Sequence, residues 1–109
     1  MDARLPAHLE VSALLRAVQA AGGFATVVAK GERDAGTIVV LCCQNGTNTR
    51  AWERMPHPDG DRRWTLVKRQ EPENPQQFQD WCDRRRRQDP DLWLVELDIA
   101  EAERFIGAE

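Results

Sequence analysis

Three cysteines, two histidines and a run of four arginines carry most of the chemistry this 109-residue sequence offers. A cysteine or serine nucleophile needs a base within hydrogen-bond reach, and the two histidines, His8 and His57, lie far apart in sequence, His57 between two prolines. Cys42, Cys43 and Cys82 show no C-x-x-C spacing and form an odd set, which argues against a zinc site or a disulfide framework and for reduced thiols. Adjacent on one strand, Cys42 and Cys43 are expected to point to opposite faces as packing residues. Glu96 and Asp98 fall on one face near a strand end, where a solvated carboxylate pair is ordinary. The glycines at 31 and 36 lack the Gly-Lys-Ser/Thr that a phosphate loop requires, and Arg33 and Asp34 between them read as a local ion pair. No catalytic residue, cofactor or metal site is assigned.

The aromatic and basic residues give the second possible chemistry. Trp52 lies between Arg50 and Arg54 at alternate positions, and Trp64 between Arg62 and Leu66, so each indole shares a sheet face with cationic neighbours. Such a face could stack single-stranded RNA. Equally, the two indoles could form a cross-strand pair with arginine stems lying over them. The charge balance favours the second reading, because 18 acidic residues outnumber 15 basic ones. Residues 84–87 are all arginine, yet on a helix they fan around the circumference, and Asp80, Asp83, Asp89 and Asp91 are near enough to pair with them. A solvated helix end is the reading favoured there.

The elements that must position these residues can be read from spacing. Val11, Leu14, Leu15 and Val18 follow a helical period that stops at Gly22-Gly23, with Ser12 favoured over Pro6 as the start. Residues 24–30 and 37–43, rich in Val and Ile, read as a hairpin, and Asn45-Gly46 turns the chain into a strand over 49–55. The turn formers at 56–60 lead to a strand over 62–68, completing an antiparallel meander of four. Asn74-Pro75-Gln76-Gln77 opens a second helix with Phe78, Trp81, Cys82 and Arg85 on its inner stripe, and Asp89-Pro90 ends it. Residues 92–97 form a fifth strand, and a capping box over 98–101 starts a short C-terminal helix. The expected fold is a single α+β domain over 1–109, a five-stranded mainly antiparallel sheet with two main helices and a short C-terminal helix, in the order αββββαβα.

Four blocks in this order carry a family resemblance: Val11-Ser12-Ala13-Leu14-Leu15-Arg16, Ala21-Gly22-Gly23-Phe24-Ala25, Gly31 with Ala35-Gly36, and Asp89-Pro90-Asp91-Leu92-Trp93-Leu94-Val95-Glu96. Together they resemble the alphaproteobacterial family called domain of unknown function 1491. The chain departs from its pattern at Glu10, where an aromatic residue is expected, and matches it least over 44–69. The resemblance implies no activity and no catalytic residue.

Residues 1–25 lack a basic stretch followed by an apolar run and a cleavage site, and no apolar run approaches the ~20 residues of a membrane span, so a cytoplasmic protein is expected. The function expected is a small protein-binding or accessory module without catalysis, with nucleic-acid binding the alternative. If the Asn45-Gly46 loop has two residues, Val39 lies opposite Trp52, and Trp52 joins Val39 and Leu41 on an apolar face. With both long helices on the other face, that surface would take a second copy of the chain or another protein; with the two helices on opposite faces the monomer would be complete. The candidate binding residues are therefore Val39, Leu41, Arg50, Trp52, Arg54, Arg62 and Trp64.

Overall fold

A computed structural model describes residues 5–108; residues 1–4 and 109, the ends of the expected domain, lie outside the described residues. In chain order the elements are α1 (Ala7–Ala20), β1 (Phe24–Ala29), β2 (Ile38–Gln44), β3 (Thr47–Pro56), β4 (Arg62–Arg69), α2 (Pro75–Gln88), β5 (Trp93–Asp98) and a 3₁₀ turn (Ala102–Phe105). The expected number and order of elements are borne out.

Topology corrects the meander. The strand order is β1-β5-β2-β3-β4, so β5 enters between β1 and β2, antiparallel to the first and parallel to the second. Composition explains why: Trp93, Leu94, Val95 and Leu97 are all buried, as in a central strand covered on both faces, and such a strand needs a neighbour on each side. The segment between Gly31 and Gly36 is thus no hairpin loop. A Cβ on either glycine would collide with the Asp91 carbonyl, so the backbones meet where only glycine fits. The Glu32 amide donates to the Asp91 carbonyl at 2.9 Å, and the Trp93 indole donates to the Glu32 carbonyl at 2.7 Å.

The two main helices lie on opposite faces. Val11 and Val18 of α1 pack with Ile38, Val40, Cys42, Trp52, Trp93, Val95, Leu97 and Ala102, whereas Phe78 and Cys82 of α2 pack with Val39, Leu41, Ala51, Leu92 and Leu94. Cys42 pairs with Leu97 in the α1 layer, whereas the Cys43 thiol lies beside Glu96 and Asp98, so the two cysteines alternate. The apolar face expected to meet another chain is instead the floor under α2, with Val39 and Leu41 both buried.

One bulge decides where Trp52 belongs. Asn45 and Gly46 both have positive φ and form the expected two-residue turn, with Gln44 opposite Thr47. Asn48, at φ 55°, then adds a residue to β3, so that Cys42 pairs with Arg50 and Val39 with Glu53 rather than Trp52. A one-residue shift exchanges faces. Trp52 consequently lies opposite Val40 under the α1 layer, not beside Val39 and Leu41.

Helix α1 starts after Pro6, five residues before Ser12, and the Ser12 hydroxyl donates to the His8 carbonyl within the helix instead of capping it. The capping box at 98–101 is also absent. Both Asp98 oxygens accept amides of the β2–β3 turn, from Asn45 at 2.7 Å and Gly46 at 3.1 Å, and the 3₁₀ turn begins from Glu101 in a left-handed conformation. Among the described residues no helix is long and apolar enough to cross a membrane.

Candidate functional site

Strands β3 and β4 present Arg50, Trp52, Arg54, Trp64 and Leu66 to the α1 side of the sheet, with Trp52 opposite Leu66 and Arg54 opposite Trp64. The indoles are thus diagonal neighbours and not a directly opposed pair. Each arginine has a carboxylate from the covering layer. Glu103, on the 3₁₀ turn, accepts from Arg50 Nε at 2.6 Å and Nη2 at 2.9 Å, and from the Trp52 indole at 3.1 Å. This bidentate pair is mostly shielded, its side chains 15% and 18% exposed. The Arg50 hydrogen bonds hold the Glu103 carboxyl below the usual glutamate range, against the opposing effect of burial.

Glu10 of α1 has the same role farther along the sheet, accepting from Arg54 Nη2 at 2.9 Å and pairing with Nη1 at 2.8 Å. The Arg54 guanidinium also lies over the Trp64 ring, 4.9 Å from its centroid, in the arrangement expected of an arginine stem covering an indole. Arg62 is exposed and donates to the Arg54 carbonyl at 3.2 Å. So Arg50, Trp52, Arg54 and Trp64 come together on one face, Arg62 stands at the rim, and Val39 and Leu41 belong to the opposite layer.

Between these strands and α1 lies a cleft of about 310 Å³, lined by Glu10, Val11, Leu14, Trp64, Phe105 and Ile106 among others. Its walls are largely apolar and the Glu10–Arg54 pair marks its mouth. A second hollow of about 340 Å³ along α1 shares Glu10 and Ile38 with the first and reaches Arg54, Ala35 and Gly36. A larger depression, about 530 Å³, borders α2 near Lys30, Asp83, Arg86, Arg87 and Asp89; charges of both signs line it and it is open to water.

Sequence reasoning missed Glu10, Glu103, Phe105 and Ile106 as site residues. Placing the helix start at Ser12 put Glu10 in an extended lead-in, where its helical neighbours Val11 and Leu14 gave no hint of its direction. Glu103 had no readable signal, because only the fold brings it to residues 50 and 52.

Other reactive groups are held in quiet settings. Burial pushes the Cys42 thiol up to about 12 and the Cys43 and Cys82 thiols to about 11, with nearby carboxylates adding to each. Cys43, Glu96 and Asp98 are the one group of potential metal ligands among the described residues, their atoms within 4.8 Å of one another. Asp98 has both oxygens on the turn amides and so staples the β2–β3 turn to the end of β5. Arg85 bonds Glu53 at 2.8 Å and covers the Trp81 ring, while Arg84, Arg86 and Arg87 stay exposed, in keeping with a solvated helix end.

Comparison with known proteins gives a consistent pattern. The model for the family described as protein of unknown function DUF1491 matches residues 5–107. A crystal structure of a DUF1491 family protein from Caulobacter crescentus is similar at 29% identity and TM-score 0.79, covering 94% of each chain. The NMR structure of a DUF1491 family protein from the same organism is 30% identical, with TM-score 0.76 over 93% of this chain and 91% of that one. The solution structure of Atu0922 from A. tumefaciens is 34% identical, with TM-score 0.70 over 90% and 88%. No curated protein matches the chain.

Proposed function

This chain belongs to the DUF1491 family, and from that premise we propose that it is a cytoplasmic, non-catalytic module that binds an apolar segment of another protein in the groove along α1. The observation that carries this reading is the cleft itself, where Leu14, Trp64, Phe105 and Ile106 offer an apolar floor beside one fixed ion pair. Protein contacts are built this way, with a desolvated apolar centre and a polar rim. At about 310 Å³ the cleft has room for one or two large side chains. The three free thiols suit a reducing compartment.

The same geometry weighs against the RNA reading. Base stacking needs an open aromatic face and phosphate contact needs an uncommitted cation. Trp52 is only 7% exposed, Arg54 occupies a face of Trp64, and Arg50 and Arg54 are neutralised by Glu103 and Glu10.

Photo-crosslinking tests the proposal. A benzophenone side chain placed at Ala13, on the cleft wall, is expected to trap one discrete protein in the cells that make this chain, and the same group at Gln79, exposed on α2 across the sheet, to trap none. Identical products from both positions, or none from Ala13, would overturn it.

A further inference from the structure

The two edges of the sheet are built differently. On β4 the edge bears Arg62, Arg63 and Arg69, all exposed, and a half-buried Lys68. Such a row of cations repels a copy of itself and discourages further strands. Strand β1, at the other edge, is Phe-Ala-Thr-Val-Val-Ala, with no charge and no proline. Four of its six residues are exposed, including Phe24 at 76% and Val28 at 41%. Among the described residues it pairs with β5 on one side only, and its outward N–H and C=O groups meet no other described strand. The register shift between Val27 and Ala29 comes at the end of the strand and leaves Val28 without a partner on β5.

We propose that β1 pairs antiparallel with β1 of a second copy of this chain, about a two-fold axis, joining two five-stranded sheets into one of ten. The absence of charge selects this occupant. A heterologous contact of β1 with the cationic β4 edge would leave arginines facing an apolar strand and would propagate without closing, whereas β1 on β1 is self-complementary and closes at two. A two-fold through Thr26 keeps side-chain parity and sets Phe24 opposite Val28 twice, an aromatic and β-branched pair of the kind that stabilises cross-strand contacts. The contact is independent of the groove, which lies toward β4 at the far side of the sheet. A homodimer is thereby placed at a sheet edge instead of on the sheet face to which the apolar run over 38–43 pointed.

Light scattering and hydrogen exchange on the intact protein test this. The expected mass is twice the 12.4 kDa chain, falling toward 12.4 kDa on dilution, with exchange of the 24–29 amides slowing as concentration rises. Val28→Lys and Phe24→Lys, each at an exposed position, should keep the circular dichroism of the parent and raise the dimer dissociation constant by about tenfold or more. Leu9→Lys, on the exposed side of α1, is the control and should leave the dimer intact. A monomer at every concentration overturns the proposal, as does an open series of larger species or a dimer indifferent to both edge substitutions.

Discussion

At the scale of single residues, Glu103 does the most to hold the site together, because one carboxylate satisfies both the Arg50 guanidinium and the Trp52 indole. Glu103→Gln keeps the shape and removes the charge. It is expected to destabilise the fold by about 1–3 kcal/mol at neutral pH, the usual cost of weakening a charged, shielded hydrogen-bond network. The pH dependence follows from the lowered carboxyl pKa. A depressed value in the folded state gives stability that is present above the unfolded glutamate pKa of about 4.3 and lost as pH falls through the folded value. The gap between parent and variant in urea unfolding should therefore be full at pH 7 and shrink in acid; a gap that widened in acid would contradict the assignment. The cysteines give a second residue-scale expectation. With all three thiols buried and their pKa values raised to about 11 or 12, a thiol reagent at pH 8 should react slowly with native protein and count three thiols once it is denatured.

Elements were legible where local chemistry decided them, and illegible where a contact distant in sequence did. Helix α2 starts as read, with the Asn74 side chain accepting the Gln77 amide at 3.2 Å and Pro75 in the first turn, so Asn74→Ala should cost about 1 kcal/mol. The Asn45-Gly46 turn is likewise local. By contrast, the bulge at Asn48 has no sequence signature, since an asparagine among Thr-Asn-Thr fits a regular strand on paper, and this single residue moved Trp52 to the other face. The insertion of β5 between β1 and β2 was hidden for a related reason: two glycines flanking a polar loop look like a hairpin until the strand they accommodate is known. Gly31→Ala tests that placement. Its Cβ would collide with the Asp91 carbonyl and come within 2.7 Å of the Trp93 ring, and overpacking of this kind costs about 1–3 kcal/mol. A hairpin loop open to solvent would accept alanine without loss, so an unchanged melting temperature would contradict the topology.

For the molecule as a whole, the sheet divides its work between faces and edges. One face is filled by α2, the other by α1 and the 3₁₀ turn, and the gap left between α1 and β4 is the groove. Placing α1 and α2 on opposite faces was one of two arrangements the sequence allowed, because every position of 38–43 is apolar and so marks neither face as the outer one. Arg50, Trp52, Arg54 and Trp64 form a closed, internally paired layer whose open part is an apolar groove. Indole N–H resonances of uniformly ¹⁵N-labelled protein test it directly, with four tryptophans to report. A dye that seats its aromatic rings on apolar surface, anilinonaphthalene sulfonate, is expected to shift the Trp64 indole while leaving Trp93, bonded to the Glu32 carbonyl, in place, and single-stranded RNA at physiological salt to shift none. Movement of the Trp52 and Trp64 signals by RNA, with no response of Trp64 to the dye, would contradict this arrangement.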